Sequence, residues 1–264
     1  MHPLSPLVEA LLRETAETIV LPRFRNLAAH EIEEKSAGEI VTAADRESEA
    51  RLAEGLHLLL PDATIVGEEA CETDPALANG INEGLVWLID PIDGTANYAE
   101  GKTPFGLMIA LLEEGHRRAG WIFDPVANRL CHAVAGRGAF INNEPIAARE
   151  CGAPFPIAEL GMKFLSPERR ADVSRRVENK FTIAPFVRCA AEQYPRLVLG
   201  QNDIALFERS LPWDHAAGAL FVEEAGGVVR RPDGSEYRVG DGRTGLIAAS
   251  SRKMWDIAAN VLFY

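Results

Sequence analysis

The chain has 264 residues, 47% hydrophobic and 25% charged, with 22 Gly and 16 Pro scattered along it, which excludes collagen-like, disordered and mini-protein classes. A chain of this length buries roughly 75% of its unfolded surface and needs no disulfide or metal to fold. The formal net charge of −12, from 39 acidic and 27 basic residues, argues against nucleic acid as the main partner. It leaves phosphate chemistry open wherever metal cations stand between carboxylates and ligand.

Leu7, Val8, Leu11, Leu12, Thr15, Ile19 and Val20 recur near helical spacing and predict a helix over 5–21, with Ser5 as N-cap, Pro6 at the first helical position and Pro22 as the stop. Glu9, Arg13, Glu14 and Glu17 interrupt any signal-peptide core in this stretch, and no apolar run approaches the ~20 residues of a membrane span, so a cytoplasmic protein without a membrane partner is expected. A second helix is predicted over 43–60, ended by Pro61-Asp62. From Ala63 the pattern changes to short apolar runs, ATIVG, LVWLID, FGLMIALLEEG, RAGWIFDP and LCHAVAG, several separated by Gly-containing turns. These predict a mostly antiparallel sheet and an α+β first half over 1–145. Beyond it, strand-like runs (AELGMKF, FTIAPFV, LIAAS) alternate with helix-like ones, predicting an α/β second half over 146–264. The two halves are expected to pack with a cleft between them. Cys71, Cys131, Cys151 and Cys189 form no C-x-x-C pair and are expected to be reduced, mostly buried thiols.

The chemistry concentrates in W-L-I-D-P-I-D-G-T-A-N-Y from Trp87. An apolar strand delivers Asp90, Pro91 fixes the turn, and Asp93 follows before Gly94-Thr95. Hard divalent cations such as Mg²⁺ take anionic oxygen ligands, and a glycine lets backbone N–H groups approach phosphate. An Asp-Pro turn followed by Asp-Gly also fits an ordinary loop. Glu68 and Glu69 directly follow an apolar run, and Asp214 heads a small-residue helix, where it also fits an N-cap. Four carboxylates at ends of regular elements, Glu68, Asp90, Asp93 and Asp214, are what a two-metal site requires. Gly136-Arg137-Gly138 reads as a hairpin turn, His215 as a structural imidazole and Trp213 as a packing residue.

These segments, together with K-S-A-G-E-I-V-T-A-A-D from Lys35 to Asp45, G-R-G-A-F, P-W-D-H-A-A-G and E-A-G-G, occur in an order that resembles the inositol monophosphatase family of Mg²⁺-dependent, lithium-sensitive phosphatases. The resemblance spans nearly the whole chain. It implies a layered αβαβα sandwich, a homodimer, and hydrolysis of a small phosphate monoester. Carried over by position, Glu68, Asp90 and the Ile92 carbonyl would hold one Mg²⁺, and Asp90, Asp93 and Asp214 a second. A weaker third would rest on Glu68 and water. Thr95, oriented by Asp45, and Glu68 would activate the attacking water, while Gly94 and Thr95 would cradle phosphate oxygens.

Three departures stand out: Glu39 where the family usually has Asp, Ala96 in place of a second threonine, and the segment 188–194 where a Gly-Ser-Ala stretch normally lines the substrate pocket. In the last, the bulkier Glu192 and Tyr194 either reshape the candidate substrate pocket, with Glu192 a candidate substrate contact, or point elsewhere. Glu208 and Arg209 lie near family positions that contact substrate hydroxyls and fit a surface ion pair equally well. The expected activity is hydrolysis of a small polyol phosphate, best represented by myo-inositol monophosphate. Alternatives are 3′-phosphoadenosine 5′-phosphate or histidinol phosphate as substrate, or a regulatory binding protein that has lost turnover.

Overall fold

The computed structural model describes residues 2–36 and 39–263, so Ala37 and Gly38 of the motif beginning at Lys35 lie outside the described residues. Helix α1 (Ser5–Thr15) runs through a wider π-type stretch (Ala16–Val20) into the short α2 (Leu21–Arg23). Two details differ from expectation. Leu4 is the N-cap and Ser5 the buried first helical residue. Pro22 does not end the helix but sits in the first turn of α2, where a missing N–H costs little; the chain becomes extended only at Phe24, with ψ 122°.

A two-stranded antiparallel ribbon, β1 (Ile32–Ser36) and β2 (Glu39–Thr42), leads into α3 (Ala43–Leu59). Next come β3 (Thr64–Gly67), α4 (Glu68–Thr73), β4 (Leu85–Asp93), α5 (Thr95–Ala99), β5 (Gly106–Glu113), β6 (His116–Asp124), β7 (Arg129–Val134), β8 (Ala139–Ile141) and β9 (Glu144–Ile146). The seven strands β3 to β9 form one sheet in sequence order, antiparallel except for the parallel β3–β4 pair. A five-stranded sheet follows, built from β10 (Ile157–Leu160), β11 (Thr182–Ile183), β12 (Ile204–Phe207), β13 (Val228–Arg230) and β14 (Leu246–Ala249), in the order β11-β10-β12-β14-β13. Its helices are α6 (Pro167–Val177), α7 (Ala190–Val198), α8 (Pro212–Glu224) and α9 (Arg252–Phe263).

The two-residue period of the strands sorts their side chains into three cores. Trp87 and Ile89 of β4 pack with Leu12 and Leu52 of the first helices. Val86 and Leu88, on the other face of β4, join Leu197, Phe221, Ala205 and Phe207. Ile204 and Leu206 face Val173, Trp255 and Leu262. The layers are therefore α1/α3, the seven-stranded sheet, α7/α8, the five-stranded sheet and α6/α9: an αβαβα sandwich. No helix among the described residues is long and apolar enough to cross a membrane. Cys71, Cys131 and Cys189 are buried free thiols, and Cys151 is half-buried.

Candidate active site

Strand β4 carries Asp90 to the rim of the central layer, and an irregularity in its pairing with β5 falls between Asp90 and Asp93. The chain then turns at Gly94, which caps α5 with φ +85°. A side chain is excluded there twice over, by the left-handed backbone and because a Cβ would lie 3.0 Å from the Pro104 carbonyl oxygen. Glu68 opens α4 directly after β3. Asp214 lies in the first turn of α8, but Leu211 is its N-cap, so Asp214 is not the cap the sequence allowed and its carboxylate is released toward the cleft.

These elements bring Glu68, Asp90 and Asp214 together: one carboxylate oxygen from each lies within 4.8 Å of the others. Burial, reinforced by mutual repulsion, pushes the carboxyls of Glu68 and Asp90 well above the ordinary range and that of Asp214 up to about 7. Asp90 Oδ1 is buried without a hydrogen-bond partner. An oxygen-only cluster that repels itself and keeps an orphaned acceptor fits a hard divalent cation, which would supply the missing partner and relieve the repulsion. The cationic side chain nearest to hand, Lys35, has Nζ 3.7 Å from Glu68 but 2.6 Å from Glu69, its closer partner.

Asp93 stands beside this cluster and not within the group of three. Its Oδ2 accepts the Ala191 N–H at 2.6 Å, at the start of α7, and burial pushes its carboxyl up to about 6 against that bond. Ile92, Gly94 and Thr95 line the same cleft. The Thr95 hydroxyl has two acceptors, the Ile92 carbonyl at 2.8 Å and Asp45 Oδ1 at 3.2 Å. Asp45 is buried on α3, where its Oδ2 accepts the N–H and hydroxyl of Thr42; burial raises its carboxyl to about 7 despite those bonds.

The cleft encloses about 410 Å³, a volume suited to a small organic ligand. Glu208 lines it, and Glu192 does not: Arg129 and Arg196 hold the Glu192 carboxylate away from the cleft. Tyr194 is fully buried, with its hydroxyl 2.8 Å from His215 Nδ1, while His215 Nε2 donates to the Arg209 carbonyl at 3.1 Å. Burial pushes His215 down to about 3, so it is a neutral, structural imidazole. Arg209 pairs with Glu39, joining the turn before α8 to β2.

The sequence reading missed Glu49. Its carboxylate accepts the N–H groups of Glu69 at 2.7 Å and Ala70 at 2.8 Å, and so caps the helix that carries Glu68. The available signal was its place four residues after Asp45, a second acid on the buried face of α3. Phe164, Phe186 and Lys163 were also missed as cleft residues; they fall in runs that read as strands, but β10 ends at Leu160 and β11 at Ile183, so all three lie in the loops beyond.

Comparison with known proteins gives a consistent result. The model of the inositol monophosphatase family matches residues 2–262. A fructose-1,6-bisphosphatase/inositol-1-monophosphatase of Thermotoga maritima is 33% identical over 214 residues, 77% of this chain and 76% of that protein. The Nus factor SuhB of Haemophilus influenzae is 30% identical over 260 residues, 94% of this chain and 93% of its own. Among solved structures, an IMPase of Thermotoga maritima superposes with a TM-score of 0.81 at 26% identity, covering 99% of this chain and 98% of the other.

Proposed function

Because the chain belongs to the inositol monophosphatase family, we propose that it is a Mg²⁺-dependent phosphomonoesterase that hydrolyses a small phosphate monoester. The observation that carries this reading is the group of three buried carboxylates, Glu68, Asp90 and Asp214, with the orphaned oxygen of Asp90 among them. These residues, with the Ile92 carbonyl and the second oxygen of Asp93, would hold two Mg²⁺ ions, and a third would rest on Glu68. Bound there, the ions would lower the pKa of water and neutralise charge on the phosphoryl group.

The protein's own groups supply the rest. Thr95 is a poor base alone, but its hydroxyl passes a proton to Asp45 as it takes one from the attacking water. The raised Asp45 carboxyl is matched to that task near neutral pH. Glu68 acts with Thr95 in orienting the water. The N–H groups of Gly94 and Thr95, at the start of α5, would receive phosphate oxygens. Glu208 would meet the leaving group.

Phosphate release from myo-inositol 1-phosphate by chelated enzyme, before and after Mg²⁺ is restored, tests the proposal, with adenosine 3′,5′-bisphosphate and histidinol phosphate alongside. Release that requires Mg²⁺ is the expected result, and full turnover in chelator would overturn it. A second reading, a regulatory protein without turnover, draws on the relative named as a Nus factor; silence on every substrate with Mg²⁺ bound would favour it.

A further inference from the structure

Arg230 and Arg231 adjoin in sequence at the end of the edge strand β13, yet the two-residue period of a strand sends them opposite ways. Arg230 is half-buried and donates to the Gly234 carbonyl at 3.1 Å, whereas Arg231 is 1% exposed. The Arg231 guanidinium has Asp241 as its ionic partner and lies 5.1 Å from the centre of the Tyr237 ring. Its Nη1 donates to the Ser210 hydroxyl and to the Gly245 carbonyl, both at 3.0 Å, while its Nε is buried without a partner. A buried cation with one N–H unpaired adds little stability over an apolar side chain of similar volume, so packing alone does not call for arginine here. What the guanidinium does that an apolar chain could not is grip Ser210.

Ser210 belongs to the link between β12 and α8. Residues 207–215, all but Ser210 and Pro212, line the cleft, and Asp214 is among them. No capping side chain fixes the start of α8, because the N-cap Leu211 has none to offer, and Pro212 brings no N–H. The link is held by its neighbours instead. The Gly245 N–H donates to the Glu208 carbonyl at 2.8 Å, and His215 Nε2 to the Arg209 carbonyl at 3.1 Å. The Ser210 hydroxyl donates to the Arg243 carbonyl at 2.8 Å while it accepts from Arg231. Arg231 thus binds both sides of one join, Ser210 on the link and the Gly245 carbonyl on the loop that leads into β14.

We propose that Arg231 is a positioning residue for the metal site. It lies outside the cleft lining, and from behind that wall its guanidinium fixes the link 208–211 and with it the stations of Glu208 and Asp214. A planar guanidinium with acceptors set around it leaves the link a single placement. Residues that orient a metal ligand without touching the metal control its affinity. Lysine in this place would keep the charge, but as a point donor on a flexible stem it would not hold Ser210 and the Gly245 carbonyl together.

The inference rests on the phosphatase reading, and its test separates the two. Mg²⁺ is titrated calorimetrically into chelator-treated, dialysed protein: the native chain, Arg231→Lys, Ser210→Ala, the double variant and Leu262→Ala. Phosphate release from myo-inositol 1-phosphate is then followed against Mg²⁺ concentration. Arg231→Lys and Ser210→Ala should each weaken Mg²⁺ binding about fivefold, somewhat less than loss of a direct contact to a metal ligand. The double variant should be little worse than either alone, because both changes break the same contact. Excess Mg²⁺ should restore near-native kcat. Leu262→Ala, a truncation in the core between the five-stranded sheet and the outer helices, should lower the melting temperature and leave Mg²⁺ affinity unchanged. Unchanged affinity in Arg231→Lys and Ser210→Ala, or losses of activity that excess Mg²⁺ does not relieve, would make the guanidinium purely structural and overturn the inference. Should Arg231→Lys fail to fold, Ser210→Ala, which removes a single hydroxyl, decides by itself. A native chain that binds Mg²⁺ but releases no phosphate from any of the candidate substrates ends the phosphatase reading, while the titration still decides the role of Arg231. A native chain that binds no Mg²⁺ overturns both.

Discussion

Gly218 of α8 lies flat against the ring of Tyr194 in α7, so that a Cβ on Gly218 would come within 1.9 Å of Tyr194 Cδ2. The contact places Tyr194, which belongs to the segment that departs most from the family pattern, in the core and away from the cleft lining. Tyr194 is turned into the core, where it locks the helix whose N-terminus holds Asp93 against the helix that carries Asp214. Gly218→Ala should destabilise the protein by about 1–3 kcal/mol or more through overpacking. Tyr194→Phe, which loses only the bond to His215, should cost about 1 kcal/mol. Denaturant melts of the two variants check the order, and an alanine variant as stable as the parent would show that the helices separate without penalty.

Asp90, one of the proposed metal ligands, is held at the expense of the metal-free fold. Its carboxylate is buried among Glu68, Asp93 and Asp214, and one oxygen has no partner. Asp90→Asn should therefore raise the melting temperature of chelated protein near neutral pH while abolishing both the gain on adding Mg²⁺ and the phosphatase activity. Scanning calorimetry with and without Mg²⁺ reads the first two effects. A variant destabilised without metal and still stabilised by it would place the ion elsewhere.

Much of this arrangement is legible in the sequence because it rests on local signals. The strand ending at Asp90 is apolar throughout, and Asp93-Gly94-Thr95 requires the left-handed turn that only glycine makes freely there. The early helices differ from expectation only near their ends, at the π-type stretch Ala16–Val20 and at Pro22 in the first turn of α2. Helix α7 was not legible: Pro195 interrupts its pattern, yet it is tolerated because the helix is short and apolar on the side that meets α8. Glu192 was misplaced for a related reason. On a helix, neighbouring residues point about 100° apart, so Gln193 reaches the cleft while Glu192 turns to Arg129 and Arg196. No spacing rule pairs Glu49 with backbone N–H groups twenty residues away; that contact exists only once α3 and α4 have docked.

Glu49 makes the second cap-like contact on which the site depends. Glu49→Ala should cost roughly 1–3 kcal/mol by leaving the Glu69 and Ala70 N–H groups unpaired. It should also weaken the apparent affinity for Mg²⁺, since Glu68 begins the same helix. Glu49→Gln keeps one acceptor oxygen and should fall between the two. Activity titrated against Mg²⁺ distinguishes this from a purely structural loss, which would lower activity without moving the half-saturating metal concentration.

The Thr95–Asp45 pair gives a kinetic expectation. Thr95→Ala should lower kcat by about 10²-fold with KM little changed, the pattern for loss of an acid–base element. Thr95→Ser keeps the hydroxyl and should be milder. Asp45→Asn should approach the alanine variant, because the 3.2 Å contact would then end on a group that takes up no proton. Normal turnover by Thr95→Ala would remove this pair from the mechanism.

The same carboxyls give stability a defined dependence on pH. Burial raises Asp45 and Asp214 to about 7 and Asp93 to about 6, while in the unfolded chain they titrate near the ordinary carboxyl value of about 4. Between those limits the folded state binds more protons than the unfolded one. The free energy of unfolding therefore falls as pH rises through the window, and the full penalty is present above about 7. His215, held neutral down to about 3 in the fold while an ordinary imidazole titrates near 6.5, opposes this trend below about pH 6.5, one group against three carboxyls. A divalent cation reverses the sign of the problem, since it binds the ionised carboxylates and competes with their protons. Chelated protein should thus melt at a lower temperature near pH 7.5 than near pH 5, and the increase on adding Mg²⁺ should be larger near pH 7.5. Asp214→Asn should flatten the metal-free slope. Calorimetric melts at the two pH values, with chelator and with Mg²⁺, measure all three effects. A metal-free melting temperature that climbs toward pH 7.5 would mean that the carboxylates ionise without strain and that the cluster needs no cation.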